Sequence, residues 1–278
     1  MPRRRAPRPP PPPLTPLSQR VALSHPDRLV WPEEGIRKID LARYYAEVAP
    51  FLLQHGAGRP VTCVVCPRGL AAPCYYRRDR PADAPSWLGG PLYRLRTQES
   101  TATLLVLDEP DDLLWLVNRG AIEFHFWLAR LPDLEHPDQL IFDLDPGATV
   151  EFPVVRQAAR VLRQALAQLG LRSYPKTTGG SGLHVTVPLQ PHHPFPVVRA
   201  WAQTFARRLA AEHPTLLSIA TGPTHAGDRV TIDYAQIAIG KNMVAPYSVR
   251  ARPGAPVATP APLGRNRRWP AHAPPVHP

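Results

Sequence analysis

"LIFDLDPG", residues 140–147, sets two aspartates one residue apart in an otherwise apolar run and then stops at Pro-Gly. Alternation along a strand puts Asp143 and Asp145 on one face and Phe142 and Leu144 on the other. Charge buried beside such neighbours is costly unless something compensates it. At a strand rise of ~3.3 Å the two Cα atoms lie about 6.5–7 Å apart. Carboxylates converging at that spacing raise each other's pKa unless a cation intervenes. Two Mg2+ or Mn2+ ions about 3.5–4 Å apart fit the gap, an arrangement suited to phosphoryl transfer. A plainer reading stands beside it, in which Asp145 caps the Pro146-Gly147 turn and Asp143 pairs with an arginine.

The downstream pattern weighs on that choice. "TVEFPVVRQAARVLRQALAQLG" is an amphipathic helix closed by Gly170, and "RSYPKTT" leads into the turn "GGSG" and the strand "LHVTVPL". A second helix spans about 196–212, and the strand "RVTIDYAQ" carries Asp233 between Ile232 and Tyr234. The turn "TTGGSGLH" (177–184) offers consecutive backbone N–H groups for an anion nest. His184 follows on the next strand, where it can donate to a triphosphate oxygen. Neither a Gly-rich turn nor a strand histidine is specific alone. D-x-D, then G-G-x-G-L-H, then I-D-Y in that order is far more so.

Upstream, "RKIDLARYYAEVAPFLLQHGAGRP" is a helix, with Ile39, Leu41, Ala42, Tyr45, Val48, Ala49 and Leu52 at helical spacing. Short strands follow at 61–66, 73–78 and around 93–97, then a helix through 110–118 and the alternating strand "AIEFHFW" (121–127). The pattern ends in the extended, Pro-punctuated "APYSVRARPGAPVATP". Residues 1–17 and 263–278 are rich in Pro and Arg and read as disordered arms around a folded unit over 18–262.

With 278 residues, 44% of them hydrophobic, the chain is long enough for one large domain or two intimate subdomains. No apolar run approaches the ~20 residues of a membrane span, and "MPRRRAPRPPPPP" lacks the apolar core of a secretory signal. A cytoplasmic protein without membrane partners is the expectation. The formal charge of +11 points to an anionic partner, nucleic acid first, although part of it sits in the arms. Cys63, Cys66 and Cys74 are too few for a disulfide framework and fit a reducing compartment, as small buried apolar residues. A zinc site would need Cys63 and Cys66 to turn from opposite strand faces and His55 to join them.

Several stretches resemble a known family. "HPDRLVWPEEGIRKIDLARYYAEVAPFLLQHGAGRPVT", "NRGAIEFHFW", "FDLDP", "KTTGGSGLHV", "IDYAQ" and "APYSVRARPGAPVATP" are similar, in order, to the polymerase domain of bacterial ligase D. That domain belongs to the archaeo-eukaryotic primase superfamily, and the resemblance covers about residues 20–260. It implies an α+β primase-polymerase fold with mixed and antiparallel sheets, whose RRM-like catalytic half is flanked by helices.

The resemblance also implies roles. Asp143, Asp145 and Asp233 match the family's catalytic aspartates, which bind two Mn2+ or Mg2+ ions. Thr178, Gly180, Ser181 and His184 fall in the turn and strand that hold the nucleotide's phosphates and sugar. Thr178 stands where the family usually has Ser, and Ser181 where many relatives have Lys. His125 matches a position near the nucleotide pocket, competing with a structural histidine. Lys241 matches a contact to DNA or triphosphate, competing with a solvated turn lysine. Arg250 and Arg252 lie in a segment that approaches the active site.

Arg28 and Lys38 match basic positions that hold the 5′-phosphate at a DNA gap or break, competing with surface charges at a helix entry. Tyr75 and Tyr76 replace an aromatic pair that stacks on DNA; strand alternation places at least one of them in the core. The function implied is template-directed addition of nucleotides to DNA 3′ ends at gaps or double-strand breaks in end joining. The resemblance further implies a preference for ribonucleotides, Mn2+ support at least equal to Mg2+, and Ku and a separate DNA ligase as partners. The expectation is a stand-alone polymerase or one part of a split repair system, without an attached ligase or nuclease module. A polymerase outside end joining, a non-catalytic DNA-end-binding module and a metal-dependent nuclease are the competing readings.

Overall fold

The computed structural model describes residues 17–94, 101–219 and 227–261. All but the last residue of the N-terminal arm, and the whole C-terminal tail, lie outside the described residues. Strands β1 (Leu29–Trp31) and β2 (Ile36–Arg37) form an antiparallel ribbon that leads into helix α1 (Lys38–Gly56). Next come β3 (Val61–Val65), β4 (Tyr75–Arg77), β5 (Leu92–Arg94) and β6 (Thr101–Thr103). The helix expected over 110–118 is α2 (Pro110–Asn118), and "AIEFHFW" is β7 (Ala121–Trp127). The strand with the two aspartates is β8 (Gln139–Pro146).

After β8 the order is α3 (Phe152–Gln168), β9 (Tyr174–Thr177), β10 (Leu183–Pro188) and α4 (Phe195–Glu212). The short strands β11 (Leu217–Ile219), β12 (Val230–Asp233) and β13 (Asn242–Val244) complete the set. One sheet has the order β11-β12-β8-β10-β9, a second β13-β7-β3-β4. All pairs in these sheets are antiparallel except β11–β12. Pro175 lies in β9, where the sequence pattern predicts only a lead into a turn. It is tolerated because β9 is an edge strand, where a missing N–H leaves no partner unpaired.

Each sheet has its own core. Leu140, Phe142 and Leu144 of β8 face α3 and α4, whose Val155, Ala158, Ala159, Leu162, Ala202 and Ala206 recur at helical spacing. The opposite face of β8 carries the buried Ile141 and the half-buried Asp143 and Asp145, as alternation places them. Around the second sheet, α1 and α2 bury Leu41, Ala42, Tyr45, Leu52, Leu113 and Leu116. A β-branched and aromatic strand register and two amphipathic helices thus supply one core each.

The cysteines depart from expectation. Cys66 and Cys74 form a disulfide, and only Cys63 is a free, buried thiol. The reason lies in strand register. β3 and β4 pair Cys63 with Arg77, Val64 with Tyr76 and Val65 with Tyr75, so the next opposed positions are 66 and 74. Their Cα atoms are 4.4 Å apart. Counting cysteines without pairing the strands hides this. Closing so short a loop stabilises the fold by about 2.5 kcal/mol in the chain-entropy account.

The segment after β13 is fixed to the second sheet by buried polar bonds. The Tyr45 hydroxyl donates to the Ile122 carbonyl at 2.6 Å and accepts from the Val249 N–H at 2.9 Å. Ser248 Oγ accepts from the Phe124 N–H, and Trp31 Nε1 donates to the Arg252 carbonyl. Tyr45→Phe leaves a buried donor and acceptor unpaired, so urea denaturation should show a loss of about 1–3 kcal/mol. An unchanged midpoint would mean that this hydroxyl does not hold the segment.

Candidate active site

Register across the first sheet sets the site. Asp233 of β12 is directly opposite Asp143 of β8, His184 of β10 is opposite Asp143 on the other side, and Lys176 of β9 is opposite His184. Directly opposed residues share a face, so Asp233, Asp143, His184 and Lys176 form one row across four strands. His184 Nε2 lies 3.5 Å from Asp143 Oδ2. Burial pulls the Asp143 carboxyl up, but His184, Lys176 and Arg250 pull it down further, so it is ionised. Burial, reinforced by Lys176, pushes the His184 imidazole down to about 4 and keeps it neutral at pH 7.

Asp143 and Asp145 open into a cavity of about 370 Å³, whose wall also carries His125, Thr178, His184, Lys241, Arg250 and Arg252. The turn after β9 meets β8 there. A Cβ on Gly182 would sit 2.7 Å from the Leu144 carbonyl oxygen and 3.3 Å from Asp145 Oδ1, so only glycine lets the turn approach the aspartates. Gly179, at φ +70°, leaves room for the Arg250 side chain. Thr178 Oγ1 accepts from the Gly180 N–H and donates to the Gly182 carbonyl. The first of these bonds engages the Gly180 amide within the turn. Gly180 and Ser181 sit on the turn rather than on the cavity wall.

Glu123 organises the opposite wall. Its carboxylate bonds His125 Nε2 at 2.8 Å, Arg250 Nε at 3.0 Å and the Ala251 N–H at 2.7 Å. Burial pushes this carboxyl up, but those bonds and the Arg250 charge outweigh it and hold it at about 2. Arg250 then reaches from the second sheet to donate to the Thr178 carbonyl on the first, at 2.5 Å. Sequence reading missed Glu123 and Lys176. A signal for Glu123 was present: it alternates with His125 on an apolar strand, as Asp143 does with Asp145.

Asp233 is brought beside Asp143 by register but does not line the cavity, and its Oδ1 accepts the Ala235 N–H at 2.6 Å. Among the described residues, no three His, Cys, Asp or Glu side chains are drawn together as a ready metal cage. The residues nevertheless fit hard divalent cations. Asp143 Oδ1 is buried without a hydrogen-bond partner, and like charges opposed across a ladder repel unless something bridges them. Oxygen donors of this kind suit Mg2+ and Mn2+.

A second basic pocket, of about 380 Å³, adjoins the first. It brings Arg28 and Lys38 together with Arg77 and Arg119, and among the described residues Asp83 is the one carboxylate on its wall. Lys38 is buried, and its Nζ donates to the Ser24 carbonyl at 2.7 Å and to Asn118 Oδ1 at 2.7 Å. Burial, then Arg28 and Arg119, push it down to about 8. The Arg28 guanidinium donates to the Pro67 carbonyl at 2.6 Å.

β4 divides the two pockets. Tyr75 and Arg77 line the basic pocket, while Tyr76 and Arg78 line the cavity of Asp143 and Asp145. Neither tyrosine is in the core, contrary to expectation: Tyr75 is 44% and Tyr76 68% exposed. β4 is an edge strand with a pocket on each face, so alternation sends neither side chain inward.

Comparison with known proteins follows the same outline. The family model described as LigD, primase-polymerase domain, matches residues 37–263. The multifunctional non-homologous end joining protein LigD of Pseudomonas aeruginosa is 34% identical over 252 residues, covering 86% of this chain and 28% of that protein. LigD of Mycobacterium tuberculosis is 33% identical over 250 residues, covering 87% of this chain and 33% of that protein. The chain thus spans about a third of the length of the curated relatives it matches. Among solved structures, the polymerase domain of Mycobacterium tuberculosis ligase D in complex with DNA matches with a TM-score of 0.82 at 32% identity, covering 88% of each chain.

Lys176 makes the row sensitive to pH. It is 5% exposed and its Nζ has no hydrogen-bond partner, and burial pushes it down to about 7. Between that value and its ordinary 10.5, the unfolded chain holds a proton that the folded chain has lost, so stability rises with pH in that window. Urea denaturation at pH 7 and pH 9 should show the metal-free protein gaining about 2 kcal/mol relative to Lys176→Met. Parallel pH dependences in the two proteins would contradict the lowered amine.

Proposed function

The chain belongs to the LigD primase-polymerase family, and on that premise we propose that it is a template-directed nucleotidyltransferase of DNA end joining. It adds nucleotides to a DNA 3′ end at gaps or double-strand breaks that present a 5′-phosphate. The observation that carries this reading is the cross-strand row Asp233–Asp143–His184, set beside a glycine turn under Arg250 and Arg252. Carboxylates for cations, a neutral imidazole and two guanidiniums over one cavity suit a triphosphate better than a neutral substrate.

Asp143 and Asp145, with Asp233, would hold two Mg2+ or Mn2+ ions. Bound there, the ions supply a lowered pKa at the primer 3′-hydroxyl and charge neutralisation at the leaving pyrophosphate. The chain's own groups supply the remainder. His184 is neutral and therefore donates one N–H, while Arg250, Arg252 and Lys241 present fixed positive charge to the phosphate oxygens. Arg250 is anchored by Glu123 before any substrate arrives, so little reorganisation accompanies binding.

The basic pocket binds the 5′-phosphate across the gap. Arg28, Arg77 and Arg119 supply charge, and Lys38 locks Ser24 to Asn118 beneath them. Tyr75 and Tyr76 are exposed and placed to stack on bases without regard to sequence. The net charge of +11 assists approach to DNA. A preference for ribonucleotides and for Mn2+, a cytoplasmic location at the nucleoid, and partnership with Ku and a separate DNA ligase belong to the same proposal. No helix of the described residues is long and apolar enough to cross a membrane.

Primer extension on gapped DNA bearing a 5′-phosphate, with NTP or dNTP and Mn2+ or Mg2+, tests the chemistry. Asp143→Ala should slow extension by about 100-fold or more, and equal rates in the two proteins would end the polymerase reading. The pocket is tested separately by combining Arg28→Ala with Lys38→Ala. Loss of charge-assisted bonds should reduce the preference for phosphorylated over unphosphorylated gaps by about 10- to 100-fold. A retained preference would remove the pocket assignment and leave catalysis standing.

A further inference from the structure

We infer that Cys66 and Cys74 form a reversible thiol–disulfide modification site, whose state sets the grip of the basic pocket on a DNA 5′-phosphate. This rests on the proposed reading of that pocket. The bond sits where it can control both pockets at once. β4 is an edge strand of three residues, and the side chains of Tyr75 and Tyr76 both lie exposed outside the core. Packing therefore contributes little to its position. It is held by pairing with β3, by the turn around Arg80 that follows it, and by the Cys66–Cys74 bond that closes the ladder at its start.

The bond also closes the loop 67–73 onto β1. Within that loop the Leu70 N–H donates to the Val30 carbonyl, and Gly69 lies so close to β1 that a Cβ would meet the Leu29 oxygen at 2.8 Å. The Pro67 carbonyl at its start accepts from Arg28. Arg77, placed over the Tyr75 ring at 5.6 Å, depends on the same strand. One covalent bond thus fixes the acceptor that aims Arg28 and the strand that aims Tyr75 and Arg77.

Cysteine pairs that bond inside a reducing compartment are mostly catalytic or redox-sensing, and this pair has no place in the nucleotidyl-transfer chemistry. Cys74 is exposed and Cys66 is buried, so attack falls on Cys74. A thiolate of a dithiol reductant attacks Cys74 Sγ, the Cys66–Cys74 bond breaks, and Cys66 leaves as a thiolate that takes up a proton. The reductant's second thiol, as its thiolate, then attacks its own sulfur in the mixed disulfide, and Cys74 leaves and is protonated. Two electrons pass from the dithiol, which becomes a disulfide, and the protein gains two thiols. An oxidised disulfide of the same class reverses the exchange. Cys63 stays outside it, because burial holds that thiol protonated and out of reach.

The experiment compares wild type, untreated and after dithiothreitol, with Cys74→Ser. Thiol titration after denaturation should find one thiol in the untreated protein and three after reduction. Three thiols in the untreated protein would overturn the inference. Hydrogen exchange at Tyr75–Arg77 should accelerate on reduction, and the preference for 5′-phosphorylated gaps in DNA-binding titrations should fall at least fivefold. Cys74→Ser should behave as the reduced protein under both conditions. Unchanged exchange on reduction, or a phosphate preference that survives it, would overturn the latch. An oxidised protein with no phosphate preference would instead overturn the pocket reading, and the exchange rates of β4 would still decide whether the bond orders that strand.

Discussion

The carboxylate of Glu123 joins the two halves of the molecule. From the middle of β7 it binds His125 on its own strand, and Arg250 and the Ala251 N–H on the segment that crosses the cavity. Through Arg250 it reaches the Thr178 carbonyl on the other sheet. A buried carboxylate with a charged and two further donors repays its desolvation, whereas either ion left alone there would not. The cavity has walls in fixed relation because this one anion is satisfied from three sides.

The open face of the first sheet shows the opposite economy. The same strand that buries Phe142 and Leu144 against α3 exposes Asp143 and Asp145, and register sets Asp233 and His184 to either side. Lys176 extends the row into the interior with no hydrogen-bond partner. A buried amine left unpaired in this way lowers stability. The apolar half of β8 packs the sheet onto its helices while the polar half faces the cavity.

Much of this was legible beforehand, because period and order carried it. The helices, the two faces of β8 and the sequence of acidic and glycine motifs follow from spacing alone. What escaped reading depended on which strands become neighbours. The disulfide requires 61–65 to pair with 75–77, and the shared row requires β9, β10, β8 and β12 to lie side by side. Tyr75 and Tyr76 were misplaced for a related reason: alternation reveals that they part, but not that both sides of an edge strand face open space. Glu123 had a local signal and Lys176 had none, since its burial arises only once β9 is flanked by β10 on one side and by the segment at Pro260 on the other.

β4 carries one more implication. Successive residues of a strand point to opposite sides, so a shift of one position turns every side chain around. Here one side is the basic pocket and the other the cavity of Asp143 and Asp145. An insertion or deletion of one residue between Cys74 and Arg78 would exchange the contents of the two pockets, whereas a change of two would preserve their character. The strand therefore imposes a rule of parity on the evolution of its own length. Cys74, covalently fixed at its first rung, sets the position from which that parity is counted.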